Sequence, residues 1–352
     1  METLTSTLQG RFSGWKAQKP GPHVVTRAHL SGRRQYGAAL LMAMMIVALV
    51  ATLSASMVWQ QWRSVQVEAA ERARAQSAWI LTGALDWARL ILREDARNGG
   101  PDHLGEVWAA PLAEARLSTF LALDKSQAND GPEAFLSGSI TDAQSRYNLS
   151  NLIREGRLDP AEQGVLQRLF ENINVPPDTA RRIAQIMLNS NFPPHRSQQM
   201  AVKSASGAGE APATAQIPPR SVAQLAWFGI DPGTLQHLER YVVLLPRAAP
   251  VNINTAPREV LAAVIQGLDL ATAQRLIEKR QRDPFNNLQD AAQELPESVK
   301  LEGHRVTTQT EFFEVRGRLR LEGRWLEERT LVHRFGREVA AIFRERVNAS
   351  AL

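Results

Sequence analysis

The run GAALLMAMMIVALVATLSASMV, Gly37 to Val58, constrains this chain more than any other stretch, because no side chain from Ala38 to Val58 is charged. At about 1.5 Å per residue, a helix of that length crosses a hydrocarbon core roughly 30 Å thick. The run reads as a membrane helix. Ahead of it stand Arg11, Lys16, Lys19, Arg27, Arg33 and Arg34, with Glu2 the only acid before Gly37; Trp59 and Trp62 follow it. A cation-rich side stays in the cytoplasm, so the expected orientation is N-terminus in and the remainder out.

The helical pattern does not stop at the membrane surface. Val58, Trp62, Val65, Ala69, Ala73, Gln76, Ile80, Gly83, Trp87 and Leu90 recur at three- and four-residue spacing, with Arg63, Glu68, Glu71, Arg72, Arg74 and Arg89 opposite. No proline interrupts the stripe before Asn98-Gly99-Gly100-Pro101, residue types that close a helix and forbid its continuation. A single helix over 38–97 would be about 90 Å long.

A basic leader ending in glycine, an uncharged span directly behind it, and a helix whose second half turns amphipathic together resemble a type IV pilin or type II secretion pseudopilin. The resemblance implies cleavage by prepilin peptidase between Gly37 and Ala38, with N-methylation of Ala38. The usual family member carries a glutamate at the fifth mature position, here Met42. Its absence resembles general secretion pathway protein K, the large minor pseudopilin. A carboxylate in the membrane is costly unless a cation meets it, and in the family that glutamate is thought to meet the amine of the preceding subunit. A subunit with nobody ahead of it needs no such acid, which implies a place at the filament tip.

On residue types alone, other readings of the opening stretch stay open. An ordinary signal anchor satisfies the same hydropathy. Arg33-Arg34 could begin a twin-arginine signal, although Gln35-Tyr36-Gly37 follows where apolar residues are favoured, and Ser54-Ala55-Ser56 is a weak signal-peptidase site.

Later motifs extend the resemblance across nearly all of 37–335. Phe135 to Asp142 has strand-like residues and leads into Asp142-Ala143-Gln144-Ser145-Arg146-Tyr147-Asn148-Leu149, similar to the protein K block where a sheet strand enters the inserted helical domain. Val251-Asn252-Ile253-Asn254-Thr255-Ala256-Pro257 precedes a helix that Thr255 could cap. Helical stripes are expected over 152–189, with Asp178 as a cap, then over 221–244, 271–280 and 288–292. The expected division is a leader (1–37), a transmembrane and amphipathic helix (38–97) and the first part of a pilin sheet (98–148). An inserted helical domain (149–305) with a flexible loop (191–220) follows, then C-terminal strands (306–336) and a tail (337–352). The expected fold is α+β, a long N-terminal helix on a small antiparallel sheet with a large, sterile-alpha-motif-like helical insertion.

The chain has no cysteine, which excludes disulfides and thiolate metal sites. Its net charge of +5 owes much to the leader. The seven histidines lack the spacing that sets two ligands on one helix face. There is no phosphate loop or nucleophile elbow either, so no enzyme and no cofactor are expected. Many protein K sequences carry an acidic loop suited to calcium; here Asn189 to Arg220 holds one acid, Glu210, so that site is not expected. The rival to the pseudopilin reading is a membrane-anchored helix-hairpin-helix DNA-binding protein, suggested by Gln266-Gly267-Leu268-Asp269 and Lys279-Arg280-Gln281-Arg282. Against it, Asp269 puts negative charge where phosphate would sit. The resemblance implies as partners the minor pseudopilins I and J, other pseudopilins, prepilin peptidase and the inner-membrane assembly platform.

Overall fold

The computed structural model describes residues 36–117, 134–190, 217–321 and 323–347. The leader and most of the loop at 191–220 lie outside the described residues. The chain divides into two units, one ending at Ala69 and the other running from Ala70 to Leu352.

In the first unit the described chain is all helix, the opening part of α1 (Tyr36–Asn98). Its apolar side chains, among them Leu41, Met45, Val50 and Val58, are exposed, and the helix is long and apolar enough to cross a membrane. Apolar surface of that extent is stable in lipid and not in water.

In the second unit α1 ends at Asn98, where Gly99 takes φ +67° and its N–H bonds back to the Asp95 carbonyl at 3.2 Å. The buried face of α1 is Ser77, Leu81, Leu85, Ala88 and Leu92. This differs from the stripe read off the sequence, since Trp87 and Leu90 are exposed. Two apolar stripes run along this helix, and the sheet takes the one whose slimmer side chains let the backbones approach.

Five strands make that sheet: β1 (Leu112–Arg116), β2 (Ala134–Asp142), β9 (Phe312–Leu321), β10 (Arg324–Phe335) and β11 (Glu338–Val347). They are antiparallel throughout and lie in the order β1-β2-β9-β10-β11. Leu136, Ile140, Phe313, Val315, Leu319 and Val332 are buried in the clusters that also hold Leu81, Leu85 and Leu92. Trp108 packs edge-on to Phe313 at 5.2 Å in the same core. Gly138 and Gly317 are cross-strand partners where the helix passes, and a Cβ on Gly317 would meet Leu81 Cδ2 at 3.1 Å.

The segment expected as a tail corrects the sequence reading: Glu338–Val347 pairs with β10 as an edge strand after a turn at Gly336. Its apolar residues Val339 to Phe343 run together before Arg344-Glu345-Arg346, and only Val339 is buried, so no regular alternation marks it. A charged edge suits a strand with one free side.

β2 and β9 are neighbours in the sheet, yet residues 143–311 lie between them, so the helical part is an insertion. Its short strands are β3 (Tyr147–Asn148), β4 (Ile153–Arg154), β5 (Arg157–Leu158), β6 (Val242–Val243), β7 (Val251–Asn252) and β8 (Val306–Thr307). β3 runs parallel to β6 and β7 parallel to β8, and each pair closes one part of the insertion, 147–243 and 251–307. The helices are α2 (Pro160–Asn172), α3 (Pro177–Asn189), α4 (Pro232–Leu238), α5 (Arg258–Val264), α6 (Leu270–Arg282) and α7 (Leu288–Gln293). Leu169, Phe170, Ile183, Met187, Leu238, Ile253, Leu261 and Leu276 share one core, separate from that of the sheet.

Capping chemistry sets most helix starts: Asp159, Asp231, Asp269 and Asn287 each accept from a backbone N–H two or three residues on. Two expectations change. Asp178 lies inside the first turn of α3, where its charge suits the helix N-terminus, and Pro176 is the cap. The helix expected over 221–244 is a 3-10 segment, Val222–Phe228, then α4, because Gly229 at φ +80° stops one and Asp231-Pro232 starts the other.

Candidate assembly site at the junction of sheet and insertion

The two strongest motifs of the sequence meet at one buried carboxylate. Asp142 ends β2, and its Oδ1 accepts from the Gln144 N–H at 2.7 Å. Its Oδ2 accepts from Asn252 Nδ2 at 3.0 Å, Thr255 Oγ1 at 2.6 Å and Thr310 Oγ1 at 2.7 Å. Thr255 therefore serves the junction and does not cap α5, which starts after Pro257. Burial pushes the Asp142 carboxyl up, and the Thr255, Thr310, Gln144 and Asn252 donors oppose that rise.

Around this hub the chain is stapled repeatedly. Asn148 donates to the Arg247 carbonyl at 2.7 Å, and its Oδ1 accepts from the N–H groups of Ser150 and Leu245, each at 3.1 Å. Gln144 donates to the Pro250 carbonyl at 2.8 Å and accepts from the Glu311 N–H at 2.7 Å. Asn254 forms a reciprocal pair with the Phe285 backbone at 2.9 and 3.0 Å. Arg280 is buried, donates to the Ile253 carbonyl, and is held at about 10, below the usual guanidinium range, because burial disfavours its charge and Asp142 only partly offsets this.

Asp102 extends the junction toward α1. Its Oδ2 accepts from the Thr310 N–H at 2.6 Å, while Arg334 reaches both Asp102, at 2.5 Å, and Asp95, at 2.5 Å. Asp95, Asp102 and Glu106 converge within 4.8 Å, and the Arg334 guanidinium supplies the positive charge such a group of acids calls for. None of Asp102, Thr310 or Arg334 was legible in a sequence motif. So many satisfied hydrogen bonds make a rigid joint that fixes the insertion on the sheet.

Beside the joint, α1 and the sheet leave an apolar groove of about 280 Å³ lined by Leu85, Trp87, Ile91, Val107, Pro111 and Val315. Trp87 and Val107 are exposed at its edge.

The residues of the expected processing site lie at the start of α1. Gly37 is in its first turn, and Ala38 and Met42 are exposed. Two of the basic residues behind the DNA-binding alternative are engaged otherwise, Lys279 facing Asp283 at 3.3 Å and Arg280 buried, and Asp269 caps α6 by accepting from the Thr272 N–H at 2.7 Å. A capped helix start leaves no room for phosphate there.

A helix of membrane-spanning length and hydropathy in one unit, and in the other a five-stranded antiparallel sheet with a helical domain spliced between neighbouring strands, define a pseudopilin-type subunit with an insertion. Family profiles described as "Type II secretion system (T2SS), protein K" match residues 145–247 and 251–309, which are the insertion. The chain belongs to the type II secretion system protein K family, as a minor pseudopilin.

It is 27% identical over 275 residues to the type II secretion system protein K of Pseudomonas aeruginosa, covering 75% of this chain and 78% of that one. With the protein of the same name from Pectobacterium carotovorum subsp. carotovorum the identity is 27% over 341 residues, covering 89% and 96%. With that of Klebsiella pneumoniae it is 28% over 262 residues, covering 70% and 76%. Among solved structures, the GspK-GspI-GspJ complex from the enterotoxigenic Escherichia coli type 2 secretion system contains a chain of the same fold. The TM-score is 0.57 at 20% identity, covering 80% of this chain and 99% of that one.

Proposed function

We propose that this chain is the tip subunit of a type II secretion pseudopilus, where it starts filament assembly and sets filament length during export of folded proteins across the outer membrane. The observation that carries this reading is the insertion of residues 143–311 between adjacent strands β2 and β9. Such bulk is hard to place inside a packed helical filament and is free of that constraint at an end. Met42 supports the same place: the exposed apolar face of α1 carries no carboxylate there to meet a preceding subunit's amine.

In this reading residues 1–37 are a leader removed by prepilin peptidase and Ala38 is the methylated first residue of the mature chain. The apolar part of 38–97 anchors the subunit in the inner membrane with the N-terminus cytoplasmic. The sheet segments 98–148 and 306–336, extended by β11, and the insertion 149–305 lie in the periplasm. The partners are the minor pseudopilins I and J, the counterparts of GspI and GspJ in the similar Escherichia coli complex, with the other pseudopilins and the assembly platform. Its role is structural and no reaction is assigned to it.

Mass spectrometry of the mature N-terminus tests the processing step: methylated Ala38 is expected, and an intact leader or a cut near Ser56 overturns it. Deleting the chain from a secreting cell and overproducing the major pseudopilin tests the rest. Fewer, longer filaments and lost export are expected. Filaments unchanged in number and length would refute the tip assignment.

A further inference from the structure

The insertion and the sheet meet a second time around Glu314. A cavity of about 60 Å³ lies in this seam. Arg146, Arg220, Ser221 and Glu239 of the insertion line it, together with Glu314 of β9, Arg329 of β10 and Glu345 of β11. Two donors in this lining have nothing to bond. Among the described residues, Ser221 Oγ and Arg329 Nε are buried and have no hydrogen-bond partner. Ser221 precedes the 3-10 segment Val222–Phe228, yet its side chain makes no capping bond. Arg329 Nε stands 3.3 Å from Glu314 Oε1, but its N–H is not aligned with that oxygen, which accepts from Arg316 Nε at 3.0 Å. A buried donor without an acceptor is costly, and two in one cavity call for a common acceptor.

Charge is uneven at the same place. Arg146 at 2.9 Å, Arg316 at 3.0 Å and Arg329 at 3.3 Å share the single Glu314 carboxylate, so three cations meet one anion. Burial alone would raise that carboxyl, and the three arginines hold it at about 2, which measures how positive the surroundings are. A water molecule would satisfy the two donors and leave the excess charge. An anion answers both.

We propose that this cavity binds one small monovalent anion, a halide such as chloride, accepting from the Ser221 hydroxyl and the Arg329 Nε–H. Val222, Val242, Leu331 and Phe343 supply apolar walls, which strengthen the attraction by lowering the local dielectric. The volume has room for a small ion or a few waters and excludes larger organic anions. Glu239 and Glu345 line the same space and make a doubly charged anion costly. The ion links Ser221 of the insertion to Arg329 of the sheet, so it fastens the head of the subunit to its base. The site shares no residue with the Asp142 ring and does not depend on the tip assignment.

The test uses the full chain in a non-ionic detergent, with chloride raised at constant ionic strength against gluconate, an anion too large for the cavity. The chloride NMR resonance should broaden in the presence of the protein, and bromide should reverse the broadening by displacement. Chloride should raise the melting temperature by a few degrees over gluconate. Ser221→Ala should cut the broadening several-fold, yet melt no lower than the natural chain in gluconate, because it removes an unmatched donor. Glu314→Gln, which leaves the three guanidinium groups without their acid, should bind chloride several-fold more tightly and gain more from it in the melt. Broadening that neither bromide nor Ser221→Ala reduces, or melts that do not distinguish chloride from gluconate, would overturn the site and assign the cavity to water.

Discussion

Asn252 donates to Asp142 at 3.0 Å, joining positions 110 residues apart. The first belongs to β7 inside the insertion and the second ends β2 of the sheet, so this amide and this carboxylate link the helical domain to the sheet. Thr255 and Thr310 complete the ring. A filament subunit that must hold its head in one orientation has this joint as the means.

Removing the carboxylate is therefore expected to be costly. Asp142→Ala takes the acceptor from the Gln144 N–H and the Thr310 hydroxyl and leaves Thr255 only the Asn252 carbonyl at 3.5 Å, while Asn252 keeps the Asp102 carbonyl and Thr310 Oγ1; each buried donor left unmatched costs about 1–3 kcal/mol. A loss of about 3 kcal/mol or more in urea unfolding is expected, whereas Asp142→Asn, which keeps one acceptor, should lose less. Equal stability of Asp142→Ala and the natural chain would show the ring to be incidental.

The paired glycines of the sheet differ in what surrounds them. A Cβ on Gly138 would stand 2.8 Å from the Arg316 carbonyl oxygen, a backbone atom that cannot turn aside, while on Gly317 it meets the movable end of Leu81 at 3.1 Å. Gly138→Ala should lower the melting temperature more than Gly317→Ala, by about 1–3 kcal/mol against less than that. The reverse order would mean that strand β9 shifts to admit the methyl.

Much of this architecture was legible because local chemistry announces it. The uncharged run fixed α1, Asn98-Gly99-Gly100-Pro101 marked its end, Asp142 to Leu149 marked the entry to the insertion, and Val251 to Pro257 marked a helix start within it. What stayed hidden depends on distant partners. The buried stripe of α1 could not be told from the exposed one because both are apolar, and the sheet chooses by fit. Strand β11 was missed because Val339 to Phe343 run together without alternation, and pairing with β10 supplies what pattern lacks. The roles of Asp102, Thr310 and Arg334 arise only when segments more than two hundred residues apart meet.

Acid should attack the outer face of the sheet at a particular residue. Glu314 is buried, which alone would raise its carboxyl, but Arg146 at 2.9 Å, Arg329 at 3.3 Å and Arg316 at 3.0 Å outweigh burial and hold it at about 2. A carboxyl lowered on folding stabilises the fold above its unfolded value of 4.5, and that stability is lost as pH falls to about 2. Glu314→Gln should be less stable at neutral pH by about 3 kcal/mol and flatter between pH 4.5 and 2 in denaturant melts. A variant as stable as the natural chain at pH 7 would show that the three arginines need no counter-charge.

Met42 gives the sharpest test of the tip assignment, because the substitution adds what other subunits are expected to have. It is exposed on the apolar stretch of α1, where a carboxylate costs about 2.5–3.5 kcal/mol at the bilayer centre and less toward the surface, unless a cation meets it. A subunit with another ahead of it would meet that charge with the neighbour's amine and tolerate Met42→Glu. A tip subunit has no such neighbour, so Met42→Glu should reduce export several-fold, with Met42→Gln intermediate and Met42→Leu unchanged. The unit from Ala70 onward should melt as before, because Met42 lies in the other unit of the chain. Export at the natural level with Met42→Glu would mean that a cation reaches position 42, and would place this chain behind another subunit.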